Sequence, residues 1–124
     1  MAYVAVLDDR SPYGDDLSRR LADHGHSVCL VRDVRKGMAI VALAPPDVLI
    51  IYASQRPEAT RIDARLLCRI APLILLTDSF DEAEEEPWSF EENPFCAAST
   101  SVSCDTIVDM VEALLVPLPE EALR

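Results

Sequence analysis

Residues 48–52 read Val-Leu-Ile-Ile-Tyr and residues 73–76 read Leu-Ile-Leu-Leu, two apolar runs with no polar residue at alternate positions. A strand with one wet face alternates apolar and polar side chains. One that is apolar throughout must be covered on both faces, which is the situation of a central strand in a parallel sheet flanked by helices. Neither run is long enough to span a bilayer. Tyr3–Leu7 and Ser27–Val31 are two further short, Val-containing runs, and Phe95–Thr100 is a last strand of mostly small residues.

The stretches between these runs carry helical signals. From Tyr13 to His24, Leu17 and Leu21 lie four apart on one face, Asp15 and Asp16 stand near the start where the helix dipole favours them, and Gly25 suits the C-cap. Asp33 caps a second helix over Val34–Leu43, with Val34, Met38, Val41 and Ala42 at helical spacing, and Pro45-Pro46 stops it. A third helix is expected over Arg61–Ile70, with Ile62, Leu66 and Ile70 on one side. Asp105–Leu115 closes the domain with Ile107, Val108, Val111, Leu114 and Leu115 inward. Strands alternating with helices, in 124 residues, give one α/β domain. The default at this size is the doubly wound flavodoxin-like order 2-1-3-4-5, built from right-handed crossovers. The domain is expected to span residues 1–116, with 117–124, containing Pro117 and Pro119, as a linker or tail.

Charge is unevenly placed along this frame. Residues 1–69 hold ten Lys or Arg against nine Asp or Glu, whereas Ile70–Leu123 holds thirteen acids and no Lys or Arg. The net charge of −11 argues against direct nucleic-acid binding, which needs cations to displace counterions, and against anionic membranes. No secretory leader is visible at the N-terminus, so a soluble cytoplasmic protein is expected. Cys29, Cys68, Cys96 and Cys104 have no CxxC spacing, so a zinc site is poorly supported and idle thiols are expected, with redox sensing through Cys96 and Cys104 the alternative.

In doubly wound sheets, sites form at the carboxyl ends of the strands. Here those ends hold Asp8 and Asp9, Tyr52, Thr77 and Thr100. No Gly-rich phosphate loop and no nucleophile elbow is present. An apolar strand ending in an Asp pair, Pro46-Asp47 opening an apolar third strand, and a fourth strand ending in Thr77 resemble the receiver domain of bacterial two-component response regulators, in order and spacing from Tyr3 to Leu115. The resemblance implies a CheY-like fold and a phosphorylation pocket: an acidic pair for Mg²⁺, an Asp phosphoacceptor ending the third strand, a switch hydroxyl ending the fourth and a Lys ending the fifth. Asp8 and Asp9 match the pair and Thr77 matches the hydroxyl. The acceptor position falls on Tyr52, which cannot form an acyl phosphate. The Lys position falls near Thr100, and no Lys follows Lys36. Without the second carboxylate and the Lys, Mg²⁺ is bound weakly if at all, and phosphotransfer is not expected.

The resemblance therefore implies a phosphorylation-independent pseudo-receiver that is not an enzyme. It would act within two-component or phosphorelay-type signalling by regulating an attached or partner effector through protein–protein contact, most plausibly in transcription regulation. The alternative is a small-molecule sensor binding a ligand at the carboxyl-end pocket. The expected role of Tyr52 is a ring that plugs that pocket. Residues 79–94 hold seven acids, two prolines, Trp88 and Phe90 where receivers place their fourth helix. That helix is expected to be irregular or reduced. Trp88 and Phe90 are candidate partner-binding residues, suited to a partner with a basic surface. Receivers pair through a charge-matched face in this half of the domain; two copies without cations there would repel, so any homodimer is expected to use an apolar contact or the opposite side.

Overall fold

The computed structural model describes residues 2–8, 12–52, 67, 69–77, 95–99 and 103–115. Five strands, β1 (Tyr3–Asp8), β2 (Ser27–Val31), β3 (Val48–Tyr52), β4 (Leu73–Thr77) and β5 (Phe95–Ser99), and three helices, α1 (Pro12–Asp23), α2 (Val34–Leu43) and α3 (Cys104–Leu115), make up the described elements. The sheet is parallel throughout, in the order β2-β1-β3-β4-β5. This is the doubly wound order expected from the apolar runs.

Side chains along the central strands divide between two cores, one on each face. Val4, Val6, Ile50, Tyr52, Ile74 and Leu76 pack with Leu17 and Leu21 of α1 and Ile107, Val108 and Val111 of α3. Ala5, Leu7, Leu49, Ile51, Leu73 and Leu75 pack on the other side with Val41 of α2, Leu67 and Ala71. Each central strand thus sends alternate residues to opposite cores, which is why it is apolar until its last residue.

Boundaries follow local chemistry. Asp47 was expected to open the third strand but stands just outside it: its N–H donates to the Tyr3 carbonyl (2.8 Å) and its carboxylate accepts from the Tyr3 N–H (2.8 Å). This two-way bridge sets the register that pairs Val4 with Val48. Asp33 caps α2, accepting from the N–H groups of Arg35 and Lys36 at 2.9 and 3.2 Å. Gly25 adopts φ +90° after α1, the left-handed geometry that glycine takes without a Cβ clash. The closing helix starts one residue earlier than expected, at Cys104, because Ser103 caps it through the Thr106 N–H at 3.3 Å.

One inward assignment is corrected. Ala42 was expected on the buried face of α2 but is exposed; Gly37 and Val41 are the buried positions and Met38 is half-buried. The helix is rotated so that Gly37, lacking a Cβ, rides directly over Leu7. Of the helix expected over residues 61–70, the described part is its end, where the N–H groups of Ile70 and Ala71 donate to the Leu67 carbonyl. The segment holding Trp88 and Phe90, and the tail from residue 116, lie outside the described residues.

Candidate functional site

The carboxyl edge of the sheet brings together the residues that the sequence placed there. Asp8 ends β1, and in the parallel register it stands beside Tyr52, which ends β3. On the next strand Leu76 pairs with Tyr52, and Thr77, the last residue of β4, pairs with Ser99. Asp9 and Thr100 lie outside the described residues.

Asp8 is not a solvated strand end: it is 1% exposed and is the one buried charged residue of the described chain. Its carboxylate lies against the first turn of α1, where a Cβ added to Gly14 would come within 2.0 Å of Oδ2. The acidic group and the glycine over it form one unit, with the start of α1 folded down onto the end of β1. Tyr52 is 8% exposed and belongs to the core between the sheet, α1 and α3. Its side chain packs among the apolar residues of that core.

Behind this edge lies a polar seam that the sequence did not announce. Tyr13 packs against the same core. Burial, followed by the neighbouring Cys104 and Asp16, holds its phenol protonated well above the ordinary tyrosine range. Burial and the Asp16 carboxylate push the Cys104 thiol up to about 11. Asp16 is held below the usual carboxylate range by hydrogen bonds from Arg19, Cys104 and Arg20. Arg20 extends the seam, donating to Asp16 at 3.2 Å and across to Asp105 of α3 at 2.8 Å. Cys104 at neutral pH is therefore a protonated, 7% exposed thiol, the form that oxidants and metals engage least. No periodic pattern could reveal this seam, because its members come from two helices far apart in sequence.

No protein-family model matches the chain, and no curated protein matches it. Solved structures do. The Francisella response regulator 1452 receiver domain superposes with a TM-score of 0.70 at 18% identity, over 93% of this chain and 97% of that one. A structure described as a transiently phosphorylated switch in bacterial signal transduction gives 0.72 at 22% identity, over 92% and 94%. The fold is that of a response regulator receiver domain. A mutant of RitR aligns at 0.73 and 16% identity over 93% of this chain but 53% of its own, so the receiver-like chain spans about half the length of that protein.

Receiver domains imply a Mg²⁺ ion in this pocket. Among the described residues no group of three or more His, Cys, Asp or Glu is placed to hold a metal ion. At the edge itself, Asp8 and Tyr52 are paired in register, and Asp9 lies outside the described residues. Mg²⁺ wants near-octahedral oxygen ligation, commonly through more than one carboxylate or a phosphate.

Proposed function

We propose that the domain is a pseudo-receiver: a signalling module that works by protein contact and without phosphorylation. The observation that carries this reading is the pairing of Asp8 with Tyr52. In the receiver pattern the phosphoacceptor ends the third strand beside the acidic pair, and this chain has a buried phenol at that position. A phenol there offers no carboxylate to become an acyl phosphate. The absence of any Lys or Arg between Ile70 and Leu123 also removes the cation that would steady phosphoryl oxygens at the end of the fifth strand.

On this reading the domain has no catalytic role, and Mg²⁺ binds weakly or not at all at Asp8 and Asp9. Its output is one fixed surface presented to an effector domain or partner, with transcription regulation the favoured setting and any DNA contact made by another domain. The burial of Tyr52 within the apolar core favours this reading over a ligand-sensing pocket. Incubation with acetyl phosphate and Mg²⁺, or with beryllofluoride and Mg²⁺, tests it. Intact mass and melting temperature are expected to stay unchanged; a phospho-adduct, or a melting rise with beryllofluoride, overturns the reading.

A further inference from the structure

The body of α2 carries its charges against its own dipole. Arg35 and Lys36 occupy the first turn, which has no acid, and the last turn has no base. A helix favours the reverse, because its N-terminal end is partially positive and its C-terminal carbonyls partially negative. The same helix presents an outer stripe at i, i+3, i+4, i+7 spacing: Lys36, Ala39, Ile40 and Leu43, all exposed. Ile40 is 40% and Leu43 88% exposed, and they are the exposed large hydrophobic residues of the described chain. A Leu left this far in water forfeits most of the stabilisation its burial would supply.

We propose that this stripe is a self-association surface, through which two copies pair with their α2 helices antiparallel. The stripe is complementary to itself in that direction. Ile40 meets Ile40 near the two-fold axis, and Ala39 lets the helices approach closely. Leu43 of one copy lies against the aliphatic stem of the other copy's Lys36, whose ammonium then stands over the C-terminal carbonyls that lack a base of their own. Each helix supplies the charge missing from its neighbour's last turn. No parallel arrangement does this, since it would bring Lys36 against Lys36.

Placement in the fold supports the same pairing. α2 packs on the sheet face opposite α1 and α3, as the two separate cores show. It also belongs to the nearly charge-balanced stretch of residues 1–69. Two copies joined through α2 therefore keep α3, with Asp105, Asp109 and Glu112, on the far face of each sheet. A ten-residue helix is about 15 Å long. A pair of them buries less than the ~1,200 Å² at the lower end of stable interfaces, so the dimer is weak and reversible.

Sedimentation velocity on the full chain from about 10 μM to about 1 mM tests this. The wild type is expected to shift from monomer to dimer across the range. Leu43→Glu should weaken association at least about tenfold. It should leave the melting temperature of dilute protein unchanged, because Leu43 has almost no intramolecular packing to lose. Lys36→Glu should also weaken it, whereas Asp109→Lys on α3 should not. Monomer at every concentration, a dimer indifferent to Leu43→Glu, or one broken by Asp109→Lys alone would overturn the proposal.

Discussion

At position 14 an added Cβ would meet Asp8 Oδ2 at 2.0 Å and its carboxyl carbon at 2.7 Å. Replacing a helical glycine by alanine ordinarily stabilises by about 1 kcal/mol. Here the sign should reverse, because Asp8 is buried and its short side chain has no room to withdraw. Gly14→Ala is expected to destabilise by about 1–3 kcal/mol in urea unfolding. An unchanged or raised midpoint would show that the start of α1 is free to move off the strand end. The roles of Asp8 and Tyr52 as neighbours at the sheet edge were legible in the sequence, since an Asp-terminated apolar strand and a Tyr-terminated one fall at matching spacing. The glycine over Asp8 was not, because close approach between a strand end and the next helix leaves no periodic trace.

Between elements, the seam of Tyr13, Cys104, Asp16 and Arg20 couples α1 to α3. Tyr13 and Cys104 both hold their protons more tightly in the folded protein than in the unfolded chain. Above the ordinary thiol value of 9.0 the unfolded chain releases the Cys104 proton while the folded protein keeps it up to about 11. Stability should therefore fall as pH rises through that window, with Tyr13 extending the fall to higher pH. Melting curves from about pH 8 to about pH 11 should show a steeper decline for the wild type than for Cys104→Ala; equal slopes would place the alkaline sensitivity elsewhere. Elements with their own local signal were read correctly: β2 and α2 have the bounds expected from SVCLV and from the Asp33 cap. The rotation of α2 that exposes Ala42 and Leu43 leaves no mark in the sequence, because a helix this rich in apolar residues offers more than one inner face.

For the molecule as a whole, the strand order is the default for an α/β domain of this size built from right-handed crossovers, while the acidic half sets the response to salt. The described Arg–Asp pairs, Arg19 and Arg20 with Asp16, Arg20 with Asp105 and Arg32 with Asp15, are all partly exposed. Such pairs contribute little each. The thirteen acids after residue 69 share that stretch with a single Lys or Arg, Arg124, and repel one another. Raising NaCl from about 20 mM to about 500 mM should thus raise the melting temperature; a fall would mean that the ion pairs outweigh the repulsion. The fold also ties the start of β1 to α3 through one ring. The Ala2 N–H donates to Nδ1 of His26 at 3.3 Å, which leaves the ring proton on Nε2, 2.8 Å from Oε1 of Glu112. The start of β1 and the last turns of α3 are separated by little more than an imidazole. Between the start of β1 and α3 the described course of the chain is nearly a closed circuit, and a short peptide joining those two elements would leave a ring that could be cut open elsewhere and still trace the same sheet.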